Sequence, residues 1–377
     1  MSKKHLKHAK ITKPDLGVFA RTEFSILGTP CSEIKQLAQI ICSALSPHYQ
    51  IAYADADHQS ADDSSNLEGS ILATGSSMEY VDKIDFHRFD QKTTLNPWRY
   101  KTHFRDLDLV IINGNHFESN RQILVIDPRK SLEKKLHKLT QVQLVLFLNE
   151  EKVIPDYLQE HIPGIEKIPQ FKISETEKII HWVRQLLTHA IAPIHGLVLA
   201  GGKSERMGQN KALIDYHGKS QKAHMYDLLS ACTSQAFYSV RENPEDTSEI
   251  ADTFTGLGPY GAILSAFRSN PNVAWLVTAC DQPFLTQEVI QKLISDRNPS
   301  KVATAFYNPE TDFPEPLITI WEPRAYAYLL DFLSQGYSCP RKVLINTDIE
   351  LIKLDDTSVL RNVNTPEEYR AARQELD

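Results

Sequence analysis

HGLVLAGGKSERMGQNK, residues 195–211, decides how the second half of this chain is read. Leu197, Val198, Leu199 and Ala200 form a short apolar run of the kind that becomes a buried strand, and Gly201-Gly202 follows at once. Glycine lets the backbone turn sharply and bring bare N–H groups against an anion. Lys203, Arg206 and Lys211 then place three cations close behind the turn, enough to neutralise a triphosphate. The stretch is neither GxxxxGK[ST] nor GxGxxG. Taken alone, a strand followed by Gly-Gly is an ordinary tight turn, so the weight rests on the whole pattern.

Outward from this loop, apolar runs and helical stripes alternate. Strands are expected at 196–200, 236–240, 273–279, 302–306, 316–320 and 359–363, and helices at 222–232, 260–268, 286–296, 323–335 and 366–375. Alternation of this kind predicts an α/β fold with a mostly parallel sheet covered by helices and ligands at the carboxyl ends of the strands. Thr365, Pro366 and Glu368 form a capping box at the start of the last helix. The run VAWLVTA, 273–279, ends in Cys280-Asp281-Gln282-Pro283, which puts the Asp281 carboxylate on the same rim as Gly201 and Gly202. An aspartate after a strand is commonly a turn or cap residue, and Asn364 reads equally as a loop residue satisfied by nearby backbone.

The first half also reads as α/β. Residues 24–27 form a strand, and Ile34, Leu37, Ala38, Ile41 and Leu45 give the next helix one apolar stripe. Further strands are expected at 49–54, 107–113, 122–127 and 142–148, and a helix at 177–190 with Ile179, Ile180, Val183, Leu186 and Leu187 on one face. Ala192-Pro193 breaks that helix, so two domains are expected, 1–190 and 195–377. Lys130 to Lys138 reads as the solvated face of a helix. After the first strand, Thr29 is placed to cap a helix beginning at Pro30.

The chain has 377 residues, which suits two domains of ordinary size. A formal net charge of -7 gives no basic footprint for nucleic acid. No apolar run approaches a membrane span, and the basic start leads into no apolar signal region, so a cytoplasmic protein is expected with no membrane partner. Cys31, Cys42, Cys232, Cys280 and Cys339 are odd in number and contain no CxxC pair, which argues against a disulfide framework or a zinc site.

The pattern LAGGxxxRMGxxK, residues 199–211, resembles the nucleotidyltransferase superfamily and most closely the molybdenum cofactor guanylyltransferases, the MobA-like NTP transferases. The strand ending in Asp281, Asp252 followed by Gly258-Pro259-Tyr260-Gly261-Ala262, and the closing Asn362-Val363-Asn364-Thr365-Pro366 are similar to family segments. The resemblance covers nearly all of residues 195–377. It implies a Rossmann-like transferase joining GMP from GTP to molybdopterin with release of pyrophosphate. Leu199, Ala200 and Gly201 would meet the base and ribose, Arg206 and Lys211 the phosphates, Gly202, Arg241 and Asp252 the nucleotide, and Asp281 with Asn364 a Mg2+ ion. Arg241 stands where the family usually offers asparagine, so a cytidylyl or sugar-phosphate transferase is the alternative. The acceptor phosphate is itself the nucleophile, and the protein aligns it and neutralises charge.

Residues 107–129, DLDLVIINGNHFESNRQILVIDP, resemble part of the molybdopterin-guanine dinucleotide accessory protein, a MobB-like P-loop nucleotide binder. The loop position here reads Leu27-Gly28-Thr29-Pro30-Cys31-Ser32, with no lysine for β- and γ-phosphates. The resemblance thus implies a degenerate P-loop domain. The competing reading is a docking module for a molybdoenzyme or another protein of the cofactor pathway.

Overall fold

The computed structural model describes residues 17–56, 69–201 and 211–376. The chain divides into two compact units, Met1–Ala190 and Ile191–Asp377.

In the first unit the elements run β1 (Glu23–Leu27), α1 (Cys31–Leu45), β2 (Ile51–Ala54), β3 (Met78–Asp82), β4 (His87–Gln91), α2 (Pro97–Phe104), β5 (Leu109–Asn113), β6 (Gln122–Ile126), β7 (Val142–Phe147), α3 (Asp156–His161), β8 (Gln170–Lys172) and α4 (Thr176–His189). Six strands form one sheet in the order β2-β5-β1-β6-β7-β8, and every pairing in it is parallel. β3 and β4 form a separate antiparallel hairpin. Parallel strands buried on both faces read as mostly apolar runs. Accordingly Phe24 and Ile26 of β1 pack with Ile34, Ile41 and Val183 on one side, while Leu27 joins Leu124 and Phe147 on the other. Each such side chain contributes about 1.5–3 kcal/mol by leaving water.

The turn out of β1 needs glycine. Gly28 has φ +104°, and a Cβ there would stand 2.1 Å from the Val125 carbonyl oxygen. The helix start differs from the sequence reading. Pro30 takes the N-cap position and Cys31 opens α1, because the Thr29 hydroxyl turns inward and donates to Asp127 Oδ2 at 2.8 Å. The lysine-rich stretch also differs. Glu133–Lys138 is a kinked 3-10 segment, and two of its neighbourhood's ammonium groups are used internally. Lys130 Nζ donates to the Thr29 carbonyl at 2.9 Å and Lys138 Nζ to the Asn115 carbonyl at 2.8 Å. Polar loop carbonyls that a helix would have satisfied recruit these lysines instead.

The second unit runs β9 (Ile194–Leu199), α5 (Gln221–Cys232), β10 (Gln235–Val240), β11 (Glu249–Ala251), α6 (Pro259–Ser269), β12 (Ala274–Ala279), α7 (Gln287–Ser295), β13 (Ala303–Asn308), β14 (Phe313–Trp321), α8 (Ala325–Ser334), α9 (Pro340–Ile345), β15 (Glu350–Ile352) and α10 (Pro366–Leu376). Its seven-stranded sheet has the order β11-β10-β9-β12-β14-β13-β15. β14 alone runs against its neighbours β12 and β13. Both faces are covered: Trp275 and Val277 of β12 pack with Phe267 and Trp321, and Ala274 and Leu276 with Met225 and Ile290.

One expected strand is absent. Residues 358–360 form a single 3-10 turn, and the edge strand is β15, about ten residues earlier. Leu360 and Val363 do bury, but as anchors of an irregular segment whose Val363 N–H donates to the Asp281 carbonyl at 2.7 Å. The capping box of α10 is present: Glu368 N–H donates to Thr365 Oγ1 at 3.2 Å and Thr365 N–H to Glu368 Oε2 at 3.0 Å. Among the described residues no helix is long and apolar enough to cross a membrane.

Candidate active site

Register builds the site. Leu199 of β9 lies level with Ser239 of β10 and with Ala279 of β12, and Val240 lies level with Ala251 of β11. The residues that leave these four strands, Ala200-Gly201, Arg241, Asp252 and Cys280-Asp281, therefore meet at one carboxyl edge. They line a cavity of about 640 Å3, together with Leu199 and the first turn of α6 at Gly258 and Pro259.

The amino end of α6 borders this cavity at Gly258 and Pro259, and a helix amino end is a favourable place for an anion. Gly261 lets the helix pack closely on the segment before it, because a Cβ on it would stand 2.1 Å from the Phe254 carbonyl oxygen. Gly201 is different. Its added Cβ would meet nothing nearer than Arg241 Cγ at 3.4 Å, so its bareness opens the cavity wall rather than relieving a clash.

Arg241 Nε donates to the Gly201 carbonyl at 2.6 Å, tying the end of β10 to the glycine turn. Asp252 Oδ1 accepts from Ser239 Oγ at 3.0 Å. Burial raises the Asp252 carboxyl above its ordinary value, against the opposing pull of that hydrogen bond and of Arg241. Asp281 is half-buried rather than turned to solvent. Its neighbour Cys280 is a buried thiol pushed up to about 12, first by burial and then by Asp281, which leaves it protonated and inert. Asn364 does not line the cavity, but the Val363 hydrogen bond brings its segment beside Asp281.

The structure thus brings together Leu199, Ala200, Gly201, Arg241, Asp252 and Asp281. Gly202 and Arg206 lie outside the described residues, as does the side chain of Lys211, whose backbone opens a 3-10 turn, Lys211–Leu213. Ser239, Glu242, Thr255 and Leu317 also line the cavity and were not singled out from sequence. Ser239 carried a signal, since it stands two residues before Arg241 and so on the same face of its strand. Leu317 carried none, because it depends on β14 running antiparallel.

Comparison with known proteins places this unit. Residues 196–349 match the MobA-like NTP transferase domain. Over 183 residues the chain is 38% identical to the molybdenum cofactor biosynthesis bifunctional protein of Synechocystis, covering 47% of this chain and 53% of that one, so it spans about half of that relative. It is 30% identical over 191 residues to a probable molybdenum cofactor guanylyltransferase of Carboxydothermus hydrogenoformans, covering 46% of this chain and 91% of the relative. A solved structure of molybdopterin-guanine biosynthesis protein B aligns with 44% of this chain and 99% of its own length, at 15% identity and a TM-score of 0.32. Through its second unit, the chain belongs to the family of MobA-like NTP transferases that includes the molybdenum cofactor guanylyltransferases.

Proposed function

We propose that the second unit transfers GMP from GTP to the terminal phosphate of molybdopterin and releases pyrophosphate. One observation carries this reading: the strand ends bearing Gly201, Arg241, Asp252 and Asp281 converge on one cavity, beside a helix amino end, in a chain of this family. Gly201 and the α6 amino end present backbone N–H groups to phosphate, and Arg206 and Lys211 supply the balancing charge. The acceptor phosphate oxygen attacks the α-phosphorus of GTP as the bond to pyrophosphate breaks, so no protein nucleophile is needed.

Asp281 offers a carboxylate and Asn364 an amide oxygen, hard donors of the type Mg2+ prefers, alongside substrate phosphates that complete its shell. When bound there, Mg2+ would offset phosphate charge. Asp281 would hold such an ion and orient the triphosphate, and Asp252, half-buried against Ser239, would hold the nucleoside end. GTP-dependent pyrophosphate release measured with molybdopterin tests the reading; release with CTP, or with a sugar phosphate as acceptor, in preference to this pair overturns it. A cytidylyl or sugar-phosphate nucleotidyltransferase is the second reading, left open because Arg241, which only donates, stands where family members offer an amide.

For the first unit we propose a P-loop-like domain without a working triphosphate site. Lys130, whose ammonium already serves the Thr29 carbonyl, is no substitute for the missing loop lysine. Residues 1–190 should bind GTP or ATP weakly, and micromolar affinity by calorimetry would restore a nucleotide domain. The competing reading of this unit is a module docking onto a molybdoenzyme or another protein of the cofactor pathway, and pulldown with the full chain tests it.

A further inference from the structure

A cluster of ionisable and polar side chains that the transferase reading leaves unused meets at the carboxyl edge of the first unit's sheet. β2, β5 and β1 are neighbours there, ending at Ala54, Asn113 and Leu27. Cys31 Sγ lies 3.3 Å from His116 Nε2 and 3.5 Å from Asn115 Nδ2. The same His116 nitrogen lies 3.6 Å from Asp55 Oδ1. Asp55 is itself fixed, since Oδ1 accepts from the buried Asn113 Nδ2 at 2.8 Å and Oδ2 from Tyr53 Oη at 2.7 Å. Burial, and then Asp55, push the Tyr53 hydroxyl above its ordinary value, so it remains a donor. Lys130 completes the ring by donating to Asn115 Oδ1 at 3.3 Å.

A thiol becomes a nucleophile by losing its proton, and an imidazole nitrogen at hydrogen-bond distance can take it. The N–H then formed at His116 Nε2 faces both the sulfur and the Asp55 carboxylate, and Asn115 Nδ2 stands 3.5 Å from the sulfur. Three other thiols, Cys42, Cys232 and Cys280, have surroundings whose burial pushes them up. Cys339 is exposed.

We propose that Cys31 and His116 form a nucleophilic thiol centre that exchanges with low-molecular-weight disulfides carrying carboxylates. His116 Nε2 takes the Cys31 proton, Cys31 sulfur attacks one sulfur of the disulfide, a new S–S bond forms as the old one breaks, and the departing thiolate takes the proton from His116. Cys31 is oxidised and the departing half of the disulfide is reduced to a thiol, so the small-molecule disulfide is itself the oxidant. The carboxylates answer Lys130.

The test uses the reduced full-length chain with oxidised glutathione, 2-hydroxyethyl disulfide and cystamine as probes, and peptide mass to read which cysteine is modified. Cys31 should react at least about tenfold faster than Cys339 at neutral pH, an increment well within what a positioned base supplies, and fastest with oxidised glutathione. His116→Gln should slow Cys31 about tenfold and change the shape of its pH–rate profile, leaving Cys339 and pyrophosphate release unchanged. Asp55→Asn should give a smaller change of the same kind. If Cys339 reacts first, or the Cys31 profile is the same in His116→Gln and Asp55→Asn as in the parent, the centre does not exist. If cystamine outpaces oxidised glutathione, the substrate class is wrong.

Discussion

Both units send a glycine out of a central parallel strand, and the two glycines answer to different demands. Gly28 is required by the fold, with φ +104° and Val125 O at 2.1 Å from any added Cβ. Gly201 has room for a Cβ and stands on a cavity wall. A glycine that sterics impose says nothing of a ligand, whereas one that the fold would let be alanine points to what approaches it from outside. The charges differ as well. Around Gly28, Lys130 donates to the Thr29 carbonyl and Arg129 pairs with Asp127 at 2.9 Å. Around Gly201 the strand ends present Arg241, Asp252 and Asp281 to a common cavity.

The largest expected effect breaks the second unit's chemistry without breaking its fold. Asp281→Ala should lower turnover by at least ~10²–10³, the range for one preorganised electrostatic contact. Its circular dichroism should stay that of the parent, because the side chain lies at a strand end outside the apolar clusters. Near-parental turnover in saturating Mg2+ would remove Asp281 from the site. Next come Arg206→Ala and Lys211→Ala, each expected to lower kcat/KM for GTP by about 10–100-fold, the loss of one charge-assisted hydrogen bond of roughly 1.5–3 kcal/mol. Steady-state kinetics with GTP varied checks this, and parental kinetics in either variant would make that residue a solvated cation.

The glycine pair gives a smaller, two-sided test. Gly28→Ala should destabilise the first unit by about 1–3 kcal/mol, as overpacking against backbone does, and leave pyrophosphate release intact. Gly201→Ala should melt like the parent yet bind GTP a few-fold more weakly. Equal melting losses in both variants would erase the distinction drawn between them.

What the sequence makes legible here follows from local periodicity and covalent order. The stripe of α1, the apolar β12 before Asp281 and the α10 capping box are all set by residues within one turn or strand, and all are found where the sequence puts them. The misses are long-range. Val359 and Leu360 are apolar enough for a strand, yet the sheet edge is already closed by β15, and the segment is held by Val363 to Asp281 instead. Thr29 looks like a cap until Asp127, ninety-eight positions away, takes its hydroxyl. At the site, Arg241 was legible as a strand-end residue and Asp252 through the family resemblance, but the Ser239 to Asp252 bond and the Leu317 wall depend on register and strand direction, which no local pattern encodes.

The smallest effect concerns acid stability and sets Asp127 of the first unit against Asp252 of the second, which shift in opposite directions. In the first, hydrogen bonds from Arg129, the largest contribution, and from Thr29 hold the Asp127 carboxyl down at about 2, below its ordinary 3.8. A depressed acid stabilises the fold above its unfolded value, and that stability is lost as pH falls from about 4 toward about 2. In the second, burial raises Asp252, so its contribution is fully present below the ordinary carboxylate value and is lost as pH rises through its folded value. Between pH 4 and 2 the first unit should therefore lose protection that Asp252 does not cost the second. Asp127 is buried but Arg129 is largely exposed, so solvent screening limits the effect to on the order of 1 kcal/mol. Hydrogen exchange at β1 and β10 across that range reads the two units separately. Asp127→Asn should be weaker than the parent near neutral pH and indistinguishable from it near pH 2; a loss that persists undiminished at pH 2 would mean that Asp127 acts through packing rather than through its charge.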